Sequence, residues 1–330
     1  MKVGLTLGKY APLHKGHESV ISLALEEMDF VIVMIYACPE TTSIPLSIRA
    51  NWIRDLFPRV EVIEAPDGPT EVGNSEGIKK LNEDYILERV GNRGITHFYS
   101  SEFYGEHVSK ALGATNRIVD PNRIVVPISA TTIRRNPFEY RRYLSNRVYK
   151  DMIQKVVLLG APSTGKTTLA KALAQELSTQ WMPEFGREYW EKNQVGRRLS
   201  PDQLVEIAEG HIEREDSLLQ NSNRYLIVDT NALTTFLFAL YYHGSAHSCL
   251  EELAAKTKDR YHHTFVCNND IPYDDTWCRS GEVNRRQFQE ATFRELDKRG
   301  ISYKTLSPSP EERIASVLRE LSSRSAPENA

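Results

Sequence analysis

The sequence predicts two α/β domains in series, each built on an open parallel sheet. Three observations carry this. Short apolar runs alternate with helical patterns along the chain, at the spacing of strand–helix–strand units. Residues 30–37, FVIVMIYA, are apolar without alternation, the pattern of a strand covered on both faces. Lys155–Thr168, KVVLLGAPSTGKTT, joins an apolar run to Gly160-x-x-x-x-Gly165-Lys166-Thr167 and then to a helical stripe of Leu169, Ala170, Leu173, Ala174 and Leu177. That is the strand, glycine-bounded loop and helix of a phosphate-binding P-loop.

Taken in order, residues 2–8 form a strand ending at Gly8, and GKYAPLHKGH (Gly8–His17) leads into a helix marked by Val20, Ile21, Leu23, Ala24 and Leu25. The buried strand at 30–37 follows. Leu46–Leu56 is an amphipathic helix, Val60–Glu64 a strand, Pro66–Gly77 a loop rich in Pro, Gly, Asp and Asn, and Ile78–Val90 a helix. His97–Ser100 is a strand, Val108–Leu112 a short helix, and Arg123–Ile128 leads into Ser129–Arg134. Asn136–Asp151 is polar, aromatic and basic; without a second basic stripe it reads as a solvated helix face rather than a nucleic-acid surface. The domain boundary is set near its end, giving domains 1–150 and 151–322 and a small, polar tail at 323–330.

In the second half, PEFGREYW (Pro183–Trp190) falls where a second strand should end. Ser200–Leu219 is a long helix, with Ser200 as cap and Pro201 at its first position. Tyr225–Val228 is an apolar strand ending in Asp229-Thr230-Asn231. Ala232–Tyr242 is a buried helix, Thr264–Val266 a strand, Ile271–Arg286 a polar loop, Arg285–Arg299 a helix, Ser302–Leu306 the last strand and Pro310–Leu321 the last helix.

Length and composition bound the function. A chain of 330 residues suits two domains. Hydrophobic content of 40% and charged content of 26% are those of ordinary globular protein. The net charge of −3 gives no general argument for nucleic acid or an anionic membrane. No apolar run approaches a membrane span, and the chain enters its first strand without signal-peptide architecture. The four cysteines, Cys38, Cys249, Cys267 and Cys278, form no C-x-x-C pair, which fits reduced thiols in a cytoplasmic protein.

Two stretches carry chemistry. In the P-loop, glycines let backbone N–H groups turn toward phosphates and the helix N-terminus adds partial positive charge. Lys166 is placed for the β- and γ-phosphates and the Thr167 hydroxyl for Mg²⁺. In the first half, Gly8-x-Tyr10-x-Pro12-x-His14-x-Gly16-His17 sets two imidazoles at a strand-to-helix turn, where phosphate binds at the carboxyl end of a parallel strand. Surface histidines in a turn and half of a metal site are the alternatives; the spacing does not suit a helical metal pair. Ser129, Thr131 and Arg134, at the start of a late helix, would make a second phosphate cradle with them. His243 and His247 are four apart, but Gly244 and Ser245 argue against one helix there, so they read as surface residues.

GKYAPLHKGH and ISATTIR resemble the HxGH and ISSTxxR signatures of the nucleotidyltransferase superfamily. From about residue 2 to about residue 320 the chain resembles the NadR-type bifunctional enzymes, through VDPNR (Val119–Arg123), ISATTIRRNPFEY (Ile128–Tyr140), PEFGREY and VDTNALTT (Val228–Thr235) as well. The resemblance implies a Rossmann-like nucleotidyltransferase domain followed by a P-loop kinase domain. It implies nicotinamide mononucleotide adenylyl transfer in the first and ribosylnicotinamide phosphorylation in the second, with ATP as co-substrate and Mg²⁺ as cofactor. The expected partners are these small molecules and NAD, with no nucleic acid and no membrane; a homo-oligomer stays open. The helix-turn-helix of the family's bacterial prototypes is expected to be absent, since the first strand begins at residue 2.

By the same resemblance, His14 and His17 face the ATP phosphates together with Gly8 and Tyr10, and Ser129, Thr131 and Arg134 hold the leaving β- and γ-phosphates. Arg49 and Trp52 match a family position near the mononucleotide, against a plain reading as a surface Arg and a core Trp on an amphipathic helix. Ser101 and Glu102 end a strand near the adenosine. In the kinase, Gly160, Ser163, Thr164, Gly165 and Thr168 complete the cradle around Lys166 and Thr167. Asp229 is the carboxylate for Mg²⁺ or ribose. Glu184 is either the group that orients the attacking hydroxyl or an ion-pair partner of Arg187. Arg279, Arg285 and Arg286 fall in the lid region, with Arg279 assigned to ATP, and Tyr273 replaces a family Trp beside the nicotinamide. Asn231 stands where an Asp is usual, and Asp274–Trp277 does not follow the family's acidic lid segment.

Overall fold

Among the described residues, ten strands form two five-stranded parallel sheets, one in each half of the chain. The computed structural model describes residues 1–69, 71, 73, 75–102, 104–196, 198–272, 282–307 and 309–323. It divides into two compact units, Met1–Tyr149 and Lys150–Ala330.

The first unit runs β1 (Val3–Gly8), α1 (Lys15–Glu27), β2 (Phe30–Tyr36), α2 (Leu46–Leu56), β3 (Glu61–Ala65), α3 (Glu76–Val90), β4 (His97–Ser100), α4 (Gly105–Leu112), β5 (Thr115–Ile118), α5 (Ala130–Arg135) and α6 (Asn146–Asp151), the last crossing into the second unit. The strand order is β3-β2-β1-β4-β5, all parallel, with Leu5 opposite Ile32 on one side and Phe98 on the other. Val31 to Ile35 are fully buried, as the unbroken apolar run requires of a strand with helices on both faces. The order reverses at β1 and β4, so their carboxyl ends open a crevice at the topological switch point.

The second unit continues with β6 (Gln154–Leu159), α7 (Lys166–Glu176), β7 (Gln180–Met182), α8 (Phe185–Asn193), α9 (Pro201–Leu218), β8 (Tyr225–Asp229), α10 (Ala232–His243), α11 (Ser248–Arg260), β9 (His263–Cys267), α12 (Glu282–Lys298), β10 (Lys304–Leu306) and α13 (Pro310–Ser323). Its order is β10-β9-β6-β8-β7. The P-loop strand β6 is central, and Leu158 pairs directly with Asp229 of β8. Ser200 caps α9 in a reciprocal box with Gln203, and Pro201 follows at the first helical position.

Two elements absent from the sequence reading, β5 and α11, have plain causes. Strand β5, TNRI, is a polar, largely exposed edge strand with no apolar period to announce it. Helix α11, SCLEELAAKTKDR, buries only Leu250, Ala254 and Thr257 among its side chains. The apolar residues after Arg123 do not enter the sheet: Ile124 and Val125 are exposed. Asp120, itself in left-handed backbone, draws the N–H groups of Ile124 (2.7 Å), Val125 (3.1 Å) and Val126 (3.0 Å) onto its carboxylate. Among the described residues, no helix is long and apolar enough to cross a membrane.

Ile32 is fully buried at the centre of the first sheet. Ile32→Ala is expected to lower the unfolding free energy by about 2–5 kcal/mol, seen as an earlier urea transition. A loss below about 1 kcal/mol would place β2 outside a packed core.

Candidate functional sites at two strand ends

The first site lies at the carboxyl ends of β1 and β4. After Gly8 the chain turns through Tyr10, a buried residue in left-handed backbone, and reaches His14, the N-cap of α1. The His14 Nδ1 accepts the Gly16 N–H at 3.1 Å, and the His17 Nδ1 accepts the His14 N–H at 3.4 Å. This is a capping box made of two imidazoles. The rings stack at 3.9 Å between centroids, and Tyr10 meets His17 edge-on at 4.9 Å. Burial pulls the His14 pKa down to about 4, with the Arg123 guanidinium adding to the effect. Burial, then His14, then Arg123 hold His17 well below its ordinary value. Both rings are therefore neutral at pH 7. With each Nδ1 accepting a backbone N–H, the proton of each ring sits on Nε2, free to donate.

Across the crevice, Ser129 caps α5 through its Oγ (Thr132 N–H, 3.1 Å). Arg134 donates to Thr131 Oγ1 at 3.1 Å and to the Ala11 carbonyl at 2.5 Å, which fastens α5 to the histidine turn. A cavity of about 570 Å³ is lined by Gly8, Tyr10, His14, His17, Ser129, Thr131 and Arg134, and also by Ser101 and Glu102. All seven residues assigned to ATP in this half thus share one space. Arg49 and Trp52 do not line it. Trp52 is core, and Arg49, 2% exposed, donates to the carbonyls of Tyr36 (3.0 Å), Ile44 (3.1 Å) and Lys9. Arg49 thus shapes the cavity at one remove, since Lys9 and Tyr36 are in its wall. Arg123, 3.7 Å from Glu102, also lines the cavity; its only sequence signal was the VDPNR stretch.

The second site is the P-loop. Gly160, Ser163 and Gly165 all have positive φ, +130°, +60° and +80°. A Cβ on Gly160 would lie 2.6 Å from the Cys267 carbonyl, so no other residue fits there. Lys166 Nζ donates to the Gly160 and Ala161 carbonyls at 3.0 and 2.8 Å. Thr167 Oγ1 donates to Asp229 Oδ2 at 2.5 Å. Asp229 is fully buried, and among the described residues its Oδ1 has no hydrogen-bond partner. Burial first, and then Glu184, raise its pKa to about 6. An orphaned, desolvated carboxylate oxygen beside a threonine hydroxyl and a phosphate loop suits a hard divalent cation that takes its remaining ligands from phosphate and water. Among the described residues, no cluster of three or more His, Cys, Asp or Glu offers an all-protein metal site.

A cavity of about 850 Å³ is lined by Gly160, Ser163, Thr164, Gly165, Lys166, Thr167, Thr168 and Glu184. Asp229 lies behind Thr167 rather than in the wall. Glu184 is within 3.5 Å of Arg187, and both line the cavity, so the ion pair and the site position hold together. The far wall is aromatic: Trp190, Phe238, Tyr241, Tyr242 and Phe288. No motif announced these residues, which are scattered over three helices. Asn231 caps α10 by accepting the Leu233 N–H at 3.0 Å, a task Asp performs equally well, and it does not line the cavity. Arg285 and Arg286 belong to α12, not to a lid loop, and Arg285 is buried. Tyr273, Arg279 and Asp274–Trp277 lie outside the described residues.

Both halves of the chain resemble known proteins. Residues 5–136 match the cytidylyltransferase-like family model and residues 155–313 an AAA domain model. The chain is 27% identical over 336 residues to the trifunctional NAD biosynthesis/regulator protein NadR of Escherichia coli (strain K12), covering 91% of this chain and 78% of that one. The NadR of Salmonella typhimurium (strain LT2) matches at 27% identity with the same coverage. A crystal structure of NadR protein in complex with NAD and AMP-PNP shares the fold, with a TM-score of 0.62 at 23% identity over 97% of this chain and 95% of that one. The fold and the two crevices define a nucleotidyltransferase-like domain joined to a P-loop kinase-like domain. Within that class, the matches along nearly the whole chain are to NadR proteins.

Because the folded-state pKa of Asp229 lies above its unfolded value of 3.8, its contribution to stability is full below about pH 4 and is lost as pH rises through about 6. In metal-free buffer, Asp229→Asn is expected to stabilise the chain at pH 8 by on the order of 1–3 kcal/mol and to change it little at pH 4. Equal effects at both pH values would mean that the carboxylate is not desolvated.

Proposed function

We propose that the chain catalyses two consecutive reactions of NAD salvage. The second unit phosphorylates ribosylnicotinamide with ATP, and the first joins the resulting nicotinamide mononucleotide to the adenylyl group of a second ATP. The observation that carries this reading is the presence of two cavities, each with its own phosphate-binding turn at the carboxyl end of a parallel strand. The NadR-type relatives, named for NAD biosynthesis, supply the identity of the nucleosides.

In the first unit, an oxygen of the mononucleotide phosphate attacks the α-phosphorus of ATP, the α–β bridging bond breaks, and pyrophosphate leaves. No covalent intermediate on the protein is needed, so catalysis is alignment and charge stabilisation. The Nε2–H groups of His14 and His17 donate to the phosphate oxygens as charge shifts onto the leaving group. Being neutral, they do so without a proton that must first be taken up. Thr131 and Arg134 hold the pyrophosphate side, and Ser129 fixes the start of the helix that carries them.

In the second unit, the nucleoside hydroxyl attacks the γ-phosphorus of ATP and ADP leaves. Lys166, drawn off the loop carbonyls, neutralises the β- and γ-phosphates. Glu184 accepts the hydroxyl proton, with Arg187 keeping it in place. Thr167 and Asp229 would hold Mg²⁺, whose charge neutralises phosphate as the transfer proceeds. The aromatic wall suits a flat, positively charged pyridinium ring. The buried thiols of Cys38 and Cys267 are unpaired, which fits a cytoplasmic location.

Two variants test the assignment together. Lys166→Ala should lower ribosylnicotinamide phosphorylation by about 100- to 1000-fold and spare adenylyl transfer. His17→Ala should do the reverse. Equal damage to both activities by either variant would rule out two separate sites.

A further inference from the structure

We propose that Arg285 and Arg313 are positioning residues for phosphoryl transfer, fixing the P-loop from behind so that its N–H groups face the ATP phosphates. The proposal rests on the reading of this loop as the ATP site of a kinase.

The loop is gripped on its outer face by three side chains from far along the chain. Arg285 of α12 donates to the Ser163 carbonyl at 3.1 Å and to the Ile271 carbonyl at 3.0 Å. Arg313 of α13 donates to the Thr164 carbonyl at 2.7 Å and to the Asn268 carbonyl at 3.2 Å, and it pairs with Asp270. Gln289 of α12 accepts the Ala161 N–H at 2.8 Å and donates to the Cys267 carbonyl at 3.2 Å. All three are at least 96% buried, with exposures of 2, 3 and 4% for Arg285, Arg313 and Gln289.

Peptide geometry gives these contacts a direction. In a trans peptide the C=O and the next residue's N–H point opposite ways. Holding the Ser163 and Thr164 carbonyls outward therefore turns the N–H groups of Thr164 and Gly165 inward. The Gln289 contact works in the other sense. It takes the Ala161 N–H outward, which turns the Gly160 carbonyl inward, and that carbonyl is one of the two that Lys166 holds. So the side chains behind the loop select which peptides present donors to phosphate and which present an acceptor to the lysine.

The grip also bears on strain. Ser163 is a non-glycine residue with φ of +60°, a conformation that persists only where the surroundings impose it. Arg285 bonds that residue's own carbonyl. At Arg313 the planar fork of the guanidinium spreads two nitrogens to two carbonyls, whereas at Arg285 one terminal nitrogen serves both. Two buried cations behind the loop also add positive potential toward the phosphates.

The test is steady-state kinetics of both activities on the full chain. Arg285→Met and Arg313→Met should each raise the ATP KM of ribosylnicotinamide phosphorylation on the order of tenfold, with the nucleoside KM within about twofold and adenylyl transfer unchanged. Arg285→Lys, which keeps the charge and a donor nitrogen but not the planar guanidinium, should fall between wild type and Arg285→Met. A role in folding alone would lower the active fraction and leave the ATP KM where it was, and that result overturns the proposal. Should the methionine variants fail to fold, Arg285→Lys and Arg313→Lys decide it by the same KM. If wild type shows no ribosylnicotinamide turnover, the kinase reading fails instead. Titration of the variants with MgATP then still tests the loop, since unchanged affinity would overturn the positioning role by itself.

Discussion

A strand that feeds a helix through a tight turn leaves the first N–H groups of that helix without backbone partners. Both crevices of this chain are built on that constraint, and they meet it in opposite ways. At the end of β1, two imidazoles accept backbone N–H groups through Nδ1 and offer their own N–H on the far side of the ring. The donor is moved outward by the width of a ring and gains a side chain's reach. At the end of β6 the loop itself is bent through three positive φ values, so that backbone donors face the ligand directly. The first arrangement suits a group that is being transferred in the middle of a triphosphate. The second suits the end of one, where several oxygens must be held together.

The electrostatics follow the same division. His14 and His17 are kept neutral by burial and by the neighbouring Arg123, so the site gains donors without adding buried charge that would need pairing. The permanent charge in that crevice comes from arginines, with Arg134 bonded to backbone on the histidine turn. In the second unit the tension is negative: Asp229 is buried with one oxygen unpartnered and with Glu184 near enough to disfavour its ionisation. Such a carboxylate is stabilised by a cation, and Thr167 stands between it and the phosphate loop. Under the proposed function, one site would take an anion and the other an anion together with a divalent metal.

The sequence made legible whatever depends on neighbours in the chain. The P-loop, the paired histidines, the Ser129–Arg134 helix start and the fully apolar β2 all announce themselves within about ten residues, and all fall where the strand order needs them. What stayed hidden depends on partners far away. β5 is held by its pairing with β4 rather than by its own composition. α11 shows the surface face of a helix and little of its buried one. The aromatic wall is assembled from α8, α10 and α12, and no single stretch contains enough of it to be recognised. Arg285 reads in the sequence only as part of the lid region because nothing in its local pattern reports that Ser163 lies against it.

Arg49 and Asn231, expected from the resemblance at functional positions, both have structural tasks. Arg49, expected near the mononucleotide from the resemblance, donates to three backbone carbonyls, two of them on residues that line the cavity. A lysine could not reproduce that, because three carbonyls on separate segments require a fork of several fixed donors. Asn231 replaces an expected Asp where only an N-cap oxygen is needed, and either side chain provides one. The departure therefore removes a negative charge from the start of α10 without removing a contact to the cavity. On the proposed kinase reading, selectivity for the nucleoside would rest on the groups that line the pocket itself, among the described residues the aromatic wall and the Glu184–Arg187 pair, where a change of size or charge meets the ligand directly.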